Sequence, residues 1–97
     1  VNRVELNGVL ISTEPLRRSL TGAAVLACQI HYEGVQPEAG HNRKTRFDAA
    51  CVALGEVAER LAKAELGSSL RIAGFLAPSS LRSTKLLIHI TEFEKGV

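Results

Sequence analysis

The chain has 97 residues, which allows one small domain over residues 1–97 and excludes two, because chains split only above about 250 residues. With 45% hydrophobic and 23% charged residues, the composition is that of a folding globular chain and excludes a disordered or collagen-like one. A net charge of +2 is too small to argue for nucleic acid by itself, so the distribution of charge must carry that argument.

From Arg3 to Ile11, Val4, Leu6 and Leu10 share one parity with Gly8, which predicts a first strand bent at the glycine. Thr13 to Gly22 contains Pro15 and Gly22 and reads as a connection. Val25 to Tyr32 resumes alternation as a second strand, with Leu26, Cys28 and Ile30 inward and Gln29 and His31 outward. Glu33 to Asn42 holds Gly34, Pro37 and Gly40, and is expected to be a loop or a wide hairpin tip. A third strand over Thr45 to Leu54 runs into Gly55 to Leu66, where the period becomes helical. There Val57, Leu61 and Ala64 make the buried stripe. Glu56 with Arg60 and Glu59 with Lys63 are spaced for ion pairs, and Gly67 stands where a left-handed cap belongs. Leu70, Ile72 and Leu76 alternate in a fourth strand with a bend at Gly74, and Leu86, Ile88 and Ile90 alternate in a fifth. Pro78 to Thr84 joins the two.

The order β-β-β-α-β-β, with glycine bends in the first and fourth strands, is that of a five-stranded OB-fold barrel: all-β with one short helix. Closure lets every strand contribute to one interior, so a chain with few aromatics can be stable. The expected core is Val4, Leu6, Leu10, Leu26, Cys28, Ile30, Ala49, Cys51, Val57, Leu61, Leu70, Ile72, Leu76, Ile88 and Ile90. Cys28 and Cys51 read as reduced core residues. No apolar run approaches the ~20 residues of a membrane helix. Charged Arg3 and Glu5 stand where a signal peptide would be apolar, so the cytoplasm is the expected compartment.

Catalytic constellations are missing from the letters. Cys28 and His31 point to opposite faces of a strand, no second Cys/His pair completes a zinc set, Asp48 is the sole aspartate, and no phosphate-cradling glycine pattern occurs. A non-enzymatic chain without metal or cofactor is expected, with His31, His41 and His89 as surface or rim residues.

Binding on such a barrel runs along its second and third strands and through the neighbouring connections. Seven of the twelve cations lie there: Arg17 and Arg18 in the first connection, Arg43, Lys44 and Arg46 at the tip, and Arg82 with Lys85 in the last connection. Glu14 is the only acid in those three stretches, while Glu56, Glu59 and Glu65 fall on the helix. If the connections converge, these cations form a locally positive trough for phosphates. The four aromatics are Tyr32, Phe47, Phe75 and Phe93. Parity puts Tyr32 and Phe47 with the core positions, and whether they pack there or stack on bases stays open; Phe47 is carried with the candidate DNA face. Phe75 and Phe93 fall on the outward parity and could stack on bases or on another subunit.

The letters Asn2-Arg3, Leu6 and Gly8, Pro15-Leu16-Arg17-Arg18, Gly22, Val35-Gln36, Glu38-Ala39-Gly40, Arg43, Gly67-Ser68 and Gly74-Phe75 resemble, in order and spacing, the bacterial primosomal replication protein N (PriB) family of single-stranded DNA-binding-protein-like OB-folds. The resemblance spans nearly the whole chain. It implies a non-catalytic, cofactor-free homodimer that binds single-stranded DNA and the PriA helicase during replication restart and helps recruit DnaT. It places Arg17, Arg18, Arg43, Lys44 and Lys85 on the DNA face. In two respects the chain departs from the family: Arg46 stands where members carry an exposed tryptophan, and Pro78 to Lys85 replaces a longer lysine-rich hairpin. Weak, strongly salt-dependent binding is the consequence expected. Outward Val9 and Ile11 on the first strand agree with a dimer. The alternative is an OB-fold protein-interaction module with little nucleic-acid binding, whose loop cations serve only solubility.

Overall fold

A computed structural model describes residues 1–96. Its elements are β1 (Val4–Thr13), β2 (Arg17–Arg18), β3 (Ala24–Glu38), β4 (His41–Leu54), α1 (Glu56–Leu61), β5 (Ser69–Pro78) and β6 (Leu86–Lys95). The first half of β1 pairs with β5, from Val4 opposite Gly74 to Val9 opposite Ser69, and its second half pairs with β3, from Val9 opposite His31 to Thr13 opposite Cys28. That double use of β1 closes the sheet order β1-β5-β6-β4-β3 into a five-stranded barrel, and a short parallel contact of Cys51–Ala53 with Ile88–Ile90 seals β4 to β6. The architecture is an OB-fold, as the strand order predicts.

Alternation supplies the interior. Leu10, Leu26, Cys28, Ile30, Cys51, Leu61, Leu70, Ile72, Ile88 and Ile90 are buried, and Val4, Leu6, Ala49 and Val57 pack against them partly covered. The small residues Ala24, Ala53, Ala58 and Ala73, with Val25, are buried as well; their hydrophobicity is too slight to announce them in a periodicity argument. Leu76 is not core: it is 38% exposed. Beyond Gly74 the pairing with β1 stops, and β5 keeps only β6 and the Asn2 side chain, which bonds the Leu76 carbonyl at 2.7 Å and amide at 2.9 Å.

Residues 33–42, expected to be a loop or a wide hairpin tip, form the paired far end of a long β3–β4 hairpin closed by a tight turn, and with this arm the molecule measures 49 × 33 × 21 Å. Each apparent breaker has a place. Ala39 and Gly40 are the two central residues of a tight turn at φ 50° and 80°, the positive pair that a type I′ hairpin needs. Pro37 lies opposite Asn42, next to the closing pair Glu38–His41, a position whose missing N–H points away from the partner strand. At Gly34 a side chain would run into the Tyr32 hydroxyl, so the glycine is the space over which that ring lies.

Helix α1 is shorter than the periodicity suggests, ending at Leu61, with Ala58 and Leu61 as its fully buried residues and Val57 only partly covered. Gly67 does take a left-handed φ of 90°, yet it lies beyond the helix and donates its N–H to the Leu10 carbonyl at 2.7 Å. The charged helix residues turn to tertiary partners instead: Glu59 forms an ion pair with Arg18 at 3.1 Å, and the Arg60 guanidinium makes a cation–π contact 4.7 Å from the centre of the Phe93 ring. Phe93 packs partly buried against the core, against expectation. A β-bulge explains it, because Ala73 pairs with Glu92 but Gly74 with Ile90, and the extra residue Thr91 shifts the parity of everything after it. In β1 a register irregularity falls between Leu10 and Ser12 and leaves Ile11 as the extra, exposed residue.

Candidate nucleic-acid interface

Antiparallel partners share a sheet face, so the β3–β4 register sorts the candidate cations. Cys28–Cys51, Ile30–Ala49, Tyr32–Phe47, Gly34–Thr45 and Gln36–Arg43 form the rows that face the barrel interior and its continuation along the arm. The outer face carries Ala27–Val52, Gln29–Ala50, His31–Asp48, Glu33–Arg46 and Val35–Lys44. Strand β2 extends both sets, because Arg17 pairs with Val25 of the outer row and Arg18 with Ala24 of the inner one. The cations predicted to share one trough are thus divided: Arg17, Lys44 and Arg46 lie on the outer face, Arg18 and Arg43 on the inner.

Charge pairing follows the same division. Arg18 is held by Glu59 at 3.1 Å, and the Arg43 Nε donates to Glu38 at 2.6 Å. Outer-face Arg17 and Lys44 have no acidic partner among the described residues, and Arg46, with its side chain 80% exposed, is only within 4.0 Å of Glu33. Arg82 and Lys85 are exposed and similarly unpaired among the described residues. The Lys85 carbonyl accepts the Ser79 N–H at 2.9 Å, extending the β5–β6 ladder by one step, and period-two alternation sets Lys85 with outward Leu87 and His89.

A shallow groove of about 440 Å³ runs over this outer surface, with Arg17 on its rim and Gln29, Ala50, Val52 and Leu87 among its walls. From the row of Arg17, which ends on Leu54, to Lys44 is ten positions along β4, roughly 33 Å at the rise of a strand. Midway stands a counter-charge. His31 Nδ1 meets the Asp48 carboxylate at 2.6 Å, and Nε2 lies 3.8 Å from Glu33. The bond to Asp48 raises the imidazole pKa above its ordinary value, with the charges of Asp48 and Glu33 adding to the effect and partial burial opposing it. Elsewhere on the barrel Arg3 is bound to Glu5 and Glu92 and Arg71 to Glu94, while Arg60, Lys63 and Lys95 gather beside Glu65 and Glu94 at the helix end.

The aromatics also divide. Phe47 is not packed away: it is 41% exposed on the inner face of the arm, tilted against Tyr32 at 5.2 Å, and Tyr32 accepts a bond from Gln36 at 2.8 Å. Phe75 keeps its outward parity and stacks on His89, with ring centres 4.8 Å apart and planes 12° from parallel. Sequence reasoning counts His89 as a rim residue. Its alternation with Leu87 is a usable signal, but the register that sets it opposite Phe75 is not visible in the letters.

A small closed barrel with cations on the outer side of its longest hairpin belongs to the oligonucleotide-binding architecture found in single-strand-binding proteins. The model of a family described as "another single-strand binding protein family" matches residues 2–92. Replication restart protein PriB of Bordetella pertussis is 32% identical over 92 residues, covering 95% of this chain and 86% of that protein. The solved structure of PriB from Ralstonia solanacearum superposes with a TM-score of 0.90 at 28% identity, covering 98% of this chain and 97% of the other. The wild-type single-stranded DNA binding protein of Thermus aquaticus shares the fold, with a TM-score of 0.79 at 19% identity over 100% of this chain and 50% of that one. The chain belongs to the PriB family of single-strand-binding-protein-like OB-folds.

Proposed function

We propose that this chain is a replication restart factor that binds single-stranded DNA across the outer face of β3, β4 and β6. The observation that carries the reading is the shared outward parity of Arg17, Lys44 and Arg46, of which, among the described residues, only Arg46 has an acid within reach, Glu33 at 4.0 Å. Lys85, one step before β6, extends the same face, and Arg82 lies three residues earlier in the β5–β6 connection. Phosphates held along this line displace counterions, and with no tryptophan in the chain charge contributes more to binding than stacking does. Arg18 and Arg43 contribute less, because each must first give up a carboxylate; Phe47 meets the strand only if DNA wraps to the inner face of the arm.

In the same reading the chain acts in the bacterial cytoplasm as a non-catalytic homodimer that tethers PriA helicase to the exposed strand and helps bring in DnaT. Tethering raises local concentration without touching the ATP chemistry. Ile11, exposed at the β1 bulge, is the apolar group offered to a second copy; Val9 is already half covered. A second reading, a protein-interaction module, is favoured by the fully exposed leucines Leu20 and Leu81 at the tips of two connections.

Fluorescence anisotropy with a labelled oligo(dT) separates the two readings. The pair Lys44→Ala/Arg46→Ala is expected to weaken binding by about tenfold at low salt, against less than about threefold for Arg18→Ala/Arg43→Ala. Equal losses would refute the outer-face assignment. A wild-type chain that binds PriA but no oligonucleotide would favour the interaction module.

A further inference from the structure

The groove along β3 and β4 does not stop at β4. Val52 lies beside His89 across the parallel contact with β6, and His89 lies opposite Phe75 across the pairing with β5. A single outward row therefore crosses four strands as Ala27, Val52, His89 and Phe75. The side chains at its start are small, and at its end two rings stand nearly parallel with centres 4.8 Å apart. His89 covers one face of the phenyl ring, and Phe75 remains 38% exposed.

The local backbone is built around this pair. At Gly74, just before the phenylalanine, any side chain would collide with the His89 carbonyl oxygen. The close approach of β5 to β6 that brings the two rings together thus depends on glycine at that position. Phe93, the other aromatic of outward expectation, is spent beneath Arg60. Phe47 lies on the opposite face of the arm from Lys44 and Arg46. Phe75 is the one exposed aromatic on the same outer surface as the unpaired cations.

We infer that the free face of Phe75, backed by His89, is the platform on which an unpaired nucleobase stacks when a strand lies along the outer groove. The inference rests on the single-strand reading above and adds where its base contact falls. Arg17, Lys44 and Arg46 hold phosphates, which a duplex offers as well. A stacked base must be free of its neighbour and its complement, so the Phe75–His89 pair is what prefers single strands over duplex. His89 is a positioning residue that fixes the orientation of the ring.

Two oligomers of equal phosphate count, one oligo(dT) and one abasic, test this by anisotropy. Wild type is expected to bind oligo(dT) about 5- to 50-fold more tightly than the abasic strand. Phe75→Leu, which keeps an apolar side chain, is expected to erase that difference and leave the salt dependence unchanged. Phe75→Trp gives the chain its only tryptophan, whose fluorescence is expected to be quenched by oligo(dT) and not by the abasic strand. A Phe75→Leu variant that still discriminates, or a tryptophan unquenched while anisotropy reports binding, overturns the platform and leaves the phosphate contacts standing. A shift in sedimentation of Phe75→Leu with unchanged discrimination assigns the ring to contact between copies and also overturns it. If wild type binds neither strand, the single-strand reading falls and the platform with it.

Discussion

His31 is the residue whose protonation most changes the proposed binding face. It lies between Asp48 at 2.6 Å and Glu33 at 3.8 Å, and its pKa is raised by those carboxylates. A folded value above the unfolded one, about 6.5, means that the contribution of this group to stability is fully present below pH 6.5 or so. It is lost as pH rises through the folded value. Urea midpoints measured between pH 6 and pH 9 should therefore decline for wild type relative to Asp48→Asn; parallel curves would show that the pair contributes nothing. Gly74 is the other sensitive position. Placing a Cβ against the His89 carbonyl forces two backbones apart, so Gly74→Ala should cost at least about 2 kcal/mol, lowering Tm by roughly 8–16 °C for a chain of this size. A Tm within a few degrees of wild type would contradict the close approach of β5 and β6.

At the level of elements, the short helix and the long arm have different duties. Helix α1 closes one end of the barrel with Ala58 and Leu61, both fully buried, and reaches out to β2 and β6 through Glu59 and Arg60. Leu61→Ala should lose about 2–5 kcal/mol in urea unfolding, whereas Glu59→Ala, which breaks an exposed pair with Arg18, should lose no more than about 1 kcal/mol. A loss at Glu59 equal to that at Leu61 would mean that charge, not burial, seats the helix. The arm contributes little to the core and much to the proposed binding surface. Its extent was hidden in the sequence because Gly34, Pro37 and Gly40 carry the same letters in a loop as in a hairpin. Only the partner strand reveals that proline sits where no donor is needed and that glycine makes room for a ring. Strand identity, the helix and most of the large core residues were legible from alternation, whereas Ala24, Val25, Ala53, Ala58 and Ala73 were not. Parity failed at Phe93, because one extra residue at Thr91 reverses it. It failed at Leu76, where the second strand neighbour ends.

For the whole molecule, what decides function is how a modest charge is distributed. The seven loop and tip cations were visible as letters, but their division between two faces depends on the β2 and β3–β4 registers, and the neutralisation of Arg18 and Arg43 depends on acids brought from elsewhere. Arg17, Lys44 and Arg46 remain on one side, so in the proposed function the grip on DNA is electrostatic first and stacking second. Its most direct test is the salt dependence of binding to a labelled single strand. With three or four phosphates neutralised, affinity should fall about 20- to 50-fold between about 50 and 200 mM salt, and duplex of the same length should bind more weakly throughout. An affinity that changes less than about twofold over that range, or a duplex bound as tightly as the single strand, would contradict it.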